Sequence, residues 1–140
     1  MEFPVSELKP TYARVFEGPL KKPSIEVYFE SFVVEDVFEG EVLTEQFDNP
    51  LRADYIQFPS SDVLELQGKT FNFPVNPKKG YIDASIYFMG CHSPVDITRI
   101  VFGTLSNDQL LMGITSRWLF TLEGVASNDF DFDFTVPVRI

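Results

Sequence analysis

The stretch Phe130-Asp131-Phe132-Asp133-Phe134-Thr135-Val136-Pro137-Val138-Arg139-Ile140 alternates without a break. Phe130, Phe132, Phe134, Val136, Val138 and Ile140 fall on one side, and Asp131, Asp133, Thr135, Pro137 and Arg139 on the other. Side chains of a strand point alternately to its two faces, so this run predicts a strand with one buried face. Each buried Phe contributes about 1.5–3 kcal/mol of transfer free energy, which ties the strand to the core. Pro137 has no N–H to give a ladder. The strand is therefore expected at an edge there, or with that position turned outward.

The same period recurs upstream. Met112, Ile114, Ser116, Trp118, Phe120 and Leu122 share a face, as do Ile82, Ala84, Ile86 and Phe88. Ile97 to Leu105 reads as a strand between them, with Ser93-Pro94 as the break before it and Ser106-Asn107-Asp108 as the turn after it. Glu123 to Asp129 reads as a polar loop around Gly124. Ile25, Val27 and Phe29 alternate with Glu26, Tyr28 and Glu30. At Phe32-Val33-Val34 the alternation slips, which marks a bulge or a strand buried on both faces. Gly40 then separates a second acidic piece around Glu41 to Thr44; β-branched and aromatic residues disfavour a helix here. Asp48-Asn49-Pro50 reads as a turn, and Tyr55 to Phe58 as a short strand stopped by Pro59. Val63 to Leu66 and Thr70 to Phe73 flank Gln67-Gly68-Lys69 as a hairpin. Residues 1–23 hold four of the ten prolines and read as an extended or irregular lead-in. The expected fold is all-β: residues 1–140 as one antiparallel sandwich or barrel of about eight or nine strands, with little helix.

Length and composition agree with one core. The chain has 140 residues, 44% of them apolar and 15% aromatic, enough to bury a core without a metal or disulfide staple. Cys91 is the only cysteine, so no intramolecular disulfide forms, and a reducing, cytoplasmic setting is expected. Met1-Glu2-Phe3-Pro4-Val5-Ser6-Glu7 has neither the basic nor the apolar region of a secretory signal. No apolar run approaches the length of a membrane span, so no membrane partner is expected.

The net charge is −10, and it is unevenly placed. From Pro23 to Glu65 there are eleven acids and one base, Arg52. That concentration argues against a nucleic-acid partner and for a basic protein partner. Glu30, Glu35, Asp36, Glu39, Glu41 and Glu45 are the expected contact residues.

Motifs for other chemistry are weak or missing. Cys91-His92-Ser93-Pro94-Val95-Asp96 is the only local grouping with the parts of a Cys–His nucleophile. Neighbours along a strand face opposite ways, so Cys91 and His92 pair only if a turn begins there. A buried thiol and a hydrogen-bonded imidazole are the simpler reading. Asp129, Asp131 and Asp133 lie at alternate positions, about 7 Å apart along one strand face, too far to share a Ca²⁺ ion. They read as a polar strand face. One Cys and one His do not fill a zinc site, and neither metal nor cofactor is expected. Phe71-Asn72-Phe73-Pro74 reads as core rather than an aromatic platform, and Tyr81, Tyr87 and Trp118 as the lining of a ligand pocket or as ordinary barrel or sandwich wall. There is no phosphate-binding glycine loop, nucleophile elbow or H-E-x-x-H motif. The expected function is non-enzymatic: an inhibitor or immunity-type protein that sets an acidic surface on a basic partner such as a toxin or nuclease domain. Two alternatives stand beside it. One is an assembly subunit or homo-oligomer that uses an exposed β-edge, with Phe130–Ile140 as its candidate. The other is a small-molecule-binding barrel lined by aromatics.

Overall fold

Nearly every alternating run becomes a strand in the computed structural model, which describes residues 1–140. The ten strands are β1 (Pro10–Glu17), β2 (Pro23–Phe29), β3 (Phe32–Phe38), β4 (Glu41–Phe47), β5 (Leu51–Asp54), β6 (Thr70–Asn72), β7 (Asp83–Phe88), β8 (Cys91–Phe102), β9 (Leu110–Trp118) and β10 (Phe130–Val138). Three short 3-10 turns supply the only helical structure. Seven strands close a barrel in the order β8-β7-β5-β2-β1-β10-β9 and back to β8. β6 lies on the same flank of β8 as β7, against Arg99 to Val101. β3 and β4 form a separate two-stranded sheet.

Parity explains the one departure from antiparallel pairing. An odd number of strands around a ring cannot alternate direction throughout, so one seam must be parallel. That seam joins β1 to β10 through a single bridge, Ala13 to Val138. The Arg139 N–H donates to the Ala13 carbonyl at 2.9 Å. Arg139 therefore turns its backbone toward β1. By alternation Pro137, Thr135, Asp133 and Asp131 turn theirs the same way, off the β9 ladder. Pro137 thus costs the β9–β10 ladder nothing, as expected for a proline at an outward position.

The barrel interior is filled by aromatic rings. Phe3 stacks on Phe130 at 5.5 Å between centroids and meets Phe47, Phe88 and Phe120 within 4.8–5.7 Å. Trp118 is fully buried, and its indole N–H donates to Ser116 Oγ at 3.2 Å. The Ser116 hydroxyl passes a hydrogen bond to the Phe132 carbonyl at 2.6 Å. Phe29, half-buried at the end of β2, lies 5.8 Å from Trp118 and 6.2 Å from Phe134.

Leu122 and Ile140 do not share the buried faces expected of them, because β9 ends at Trp118 and β10 at Val138 and both residues are exposed; five further local expectations need correcting. Residues 1–23 are more than a lead-in: β1 is a barrel strand, and Phe3 enters the core. The Phe3 N–H donates to Asn128 Oδ1 at 2.7 Å, and the Ser127 N–H to the Met1 carbonyl at 2.7 Å, which pins this segment across the barrel end. Val63–Leu66 is a 3-10 turn whose first N–H groups include one capped by Asp62, and β6 pairs with β8 instead of folding back on it. The strand expected at Tyr55 to Phe58 lies earlier, at β5. Tyr55, with φ of 57°, ends it, while Ile56 and Phe58 stay buried as loop residues. Ser93-Pro94 does not break a strand. The break is the two-residue turn Met89-Gly90, with φ of 52° and 74°. Pro94 is tolerated because its nitrogen falls past the end of the β9 ladder, where its carbonyl accepts from the Leu119 N–H at 3.0 Å. Finally, Phe32-Val33-Val34 is no bulge; β3 pairs with β4 in unbroken register, with Val33 exposed and Val34 buried.

Candidate partner-docking site

The β3–β4 hairpin is built from the acidic stretch and stands out from the barrel. Its turn is Glu39-Gly40, both with positive φ, 50° and 79°. This two-residue geometry matches the twist of a hairpin, and glycine at the second position fits it without strain. The root of the hairpin is held by Phe32, Val34 and Phe47. Phe32 stacks on Phe47 at 4.9 Å, and Phe47 packs on Phe3 and Phe88 in the core. Beyond the root, every β4 residue from Glu41 to Gln46 is exposed.

The register sorts the side chains onto two faces. Phe32, Val34, Asp36 and Phe38 share a face with their partners Phe47, Glu45, Leu43 and Glu41. Val33, Glu35 and Val37 share the other with Gln46, Thr44 and Val42. Three carboxylates therefore lie on the face that begins at the core, with Glu39 at the tip and Glu35 alone on the opposite face. The hairpin carries no Lys or Arg. Val33, Val37, Phe38 and Val42 are each 60–67% exposed. Val33, Val37 and Val42 lie on one face and Phe38 on the other. Asp36 Oδ1 accepts from the Val37 N–H at 2.9 Å and lies 3.9 Å from the Met1 amine. A groove of about 220 Å³ runs between Val34, Asp36, Leu43, Thr44 and Glu45 of the hairpin and Met1 and Met89 of the barrel.

Glu35, Asp36, Glu39, Glu41 and Glu45 are thus brought together on one arm. Glu30 is not with them. It lies between β2 and β3, at the barrel rim, with its N–H donating to the Lys9 carbonyl at 2.9 Å. Two further acids of the same stretch belong to the barrel wall. Glu26 takes Arg14 at 2.8 Å, Arg52 at 3.1 Å and the Tyr28 hydroxyl at 2.7 Å. Asp54 takes Arg52 at 2.9 Å and the Ser24 hydroxyl at 2.6 Å. Burial works to raise the Glu26 pKa, but the hydrogen bonds from Tyr28 and Arg14 and the charges of Arg14 and Arg52 outweigh it. The carboxyl is held below its ordinary value. The hydrogen bond to Glu26 in turn raises both Arg14 and Tyr28. Arg14 and Arg52 also sit over the Phe16 ring, at 4.5 and 5.0 Å. Alternation alone did not reveal this network, because its members come from three strands.

The remaining chemical candidates are dispersed. Cys91 packs against the core while His92 points outside, 4.8 Å from Tyr87. Asp96 lies four residues further along the outer face of β8. Ser93, on the inner face, is fully buried, and its hydroxyl has no partner. Asp129 is occupied by the Thr121 N–H and hydroxyl, both at 2.9 Å, and Asp131 by Arg117 at 3.0 Å. No group of three or more His, Cys, Asp or Glu side chains converges to hold a metal ion. Phe71 and Phe73 pack on Phe58, at 4.8 and 6.1 Å. No helix is long and apolar enough to cross a membrane. No protein-family model, curated protein or solved structure matches this chain.

Proposed function

We propose that this protein is a non-enzymatic binding module that docks its β3–β4 hairpin on a basic protein, in the manner of an inhibitor or immunity-type protein acting on a toxin or nuclease domain in the cytoplasm. One observation carries the reading: five carboxylates, no Lys or Arg and a set of exposed aliphatic side chains occupy an arm that packs on the core only through Phe32, Val34 and Phe47, with the Met1 amine beside Asp36 as the one cation near it. Carboxylates steer a basic partner and select register, while the apolar side chains bury surface once it has arrived. The barrel supplies a rigid base. Its interior is filled by Phe3, Phe47, Phe88, Trp118, Phe120 and Phe130, which favours this reading over a ligand-holding barrel.

The test is affinity capture with the intact chain and with the variant E35K/D36K/E39K/E41K. The intact chain should retain a basic protein that is released as salt rises, since exposed charges are screened beyond about 10 Å at 0.1 M. The variant should not retain it. Retention indifferent to both salt and charge reversal would refute the electrostatic docking. An assembly role through β10 rests on a separate observation, the backbone of Asp131, Asp133 and Thr135 facing away from β9. Asp131, Asp133 and Pro137 are residues that discourage edge pairing, so this reading ranks second.

A further inference from the structure

We infer that the outer edge of β4 is a strand-addition site for an extended segment of alternating basic and apolar residues. This rests on the hairpin being the docking arm and specifies how it docks. In a two-residue hairpin the pair that flanks the turn, here Phe38 and Glu41, is hydrogen-bonded, and pairs alternate from there. Asp36–Leu43 and Val34–Glu45 are therefore hydrogen-bonded pairs. Val42, Thr44 and Gln46 consequently turn their N–H and C=O groups outward, and no other strand pairs with them. Both strands have a groove beside them, with Met1 and Met89 near Leu43 to Glu45 of β4, but the β3 edge has fewer free donors. The Val37 N–H is already taken by Asp36 Oδ1, and Glu2, Pro4 and Glu7 border Phe32 to Glu35 across a groove.

Natural edge strands are guarded by proline, lysine, bulges or brevity. β4 has no proline, lysine or bulge and runs seven residues in regular register; the guards it does carry are the charges of Glu41 and Glu45, which repel an acidic strand and not a basic one. Its charge is instead complementary to a particular guest. An added strand would lie with one face beside Glu41, Leu43 and Glu45 and the other beside Val42, Thr44 and Gln46. Lysine or arginine at alternate positions places cations beside Glu41 and Glu45, with Asp36 across the hairpin. Apolar residues at the intervening positions continue the Val42 and Val37 surface. A second copy of this chain is a poorer occupant, because it brings two arms of five carboxylates together.

The experiment titrates the intact protein with a seven-residue peptide of alternating lysine and valine, and with a peptide of the same composition in Lys and Val blocks. The alternating peptide should bind about tenfold more tightly, because only it brings its edge hydrogen bonds and its two side-chain faces into register together. Amide exchange at Val42, Thr44 and Gln46 should slow in its presence, while Leu43 and Glu45, already in the β3 ladder, change little. Thr44→Pro should bring the alternating peptide down to the block peptide, and Thr44→Val should leave it within about twofold. Equal binding of the two peptides, with no new amide protection, would overturn strand addition and leave charge docking standing. Binding of neither peptide would overturn both. Concentration-dependent protection of the same amides without peptide would reassign the edge to a second copy and also overturn the inference.

Discussion

Phe3 shows how much a single residue can be worth when its position is not evident from its neighbours. It lies in a proline-rich segment with no alternation, yet it is 1% exposed and packs among six aromatic rings. Phe3→Ala should cost about 3–5 kcal/mol, read as a lower denaturant midpoint with an unchanged slope. An effect of a few tenths would mean that the N-terminal segment does not fill the barrel end. Glu26 is the corresponding polar position. Its carboxyl is held below the ordinary value of 4.5, so the stability it contributes is present above that pH and is lost as pH falls through the depressed value. Glu26→Gln should therefore be less stable than the parent at neutral pH, and the gap should narrow as both are acidified below about pH 4. A gap constant with pH would show that the carboxylate charge is not what stabilises the cluster. The alternation of β2 placed Glu26 on the outer face. It could not show Arg14, Tyr28 and Arg52 converging there, because cross-strand neighbours are set by register and not by local order.

At the scale of elements, β10 and the β3–β4 hairpin behave as opposites. β10 is legible in the sequence because one face meets the core along its whole length: Phe130, Val136 and Val138 are buried, with Phe132 and Phe134 half-buried. A chain ending at Asp129 should not fold, because it loses these side chains, the entire β9 ladder partner and the parallel closure. A soluble truncation with cooperative unfolding would contradict that. The hairpin was harder to read. Val33, Val37 and Val42 have strand propensity, but they face solvent, so hydrophobic alternation assigned no inside to this segment. Gly40 marked the turn correctly, and the acids marked the segment, yet nothing local indicated that it would leave the barrel. Since only Phe32, Val34 and Phe47 tie it to the core, Gly40→Val should disturb the tip while shifting global stability little. Slowed or weakened partner binding with an unchanged melting temperature is the expected signature; a large loss of global stability would place the turn inside the cooperative unit.

For the whole molecule, closure of a seven-stranded ring has a mechanical consequence. The parallel seam between β1 and β10 rests on one bridge, whereas β9 and β10 pair from Phe130–Trp118 through Val138–Leu110. The Arg139 amide should therefore exchange faster than the β10 amides that face β9. Equal protection would indicate that the seam opens only with global unfolding. The bulk charge of −10 also resolves into parts. Glu26 and Asp54 are paired on the barrel wall, and five carboxylates stand on the hairpin. Period-two hydrophobicity, aromatic content and proline placement were enough to determine an all-β chain with β10 as a core strand, since strand faces are a local property of side-chain order. Tertiary structure decided the closed barrel over the sandwich, the parallel seam, the burial of Phe3 and the projection of the acidic hairpin. Each of these depends on which distant strands pair and in what register, and those contacts have no signature in the order of neighbouring residues.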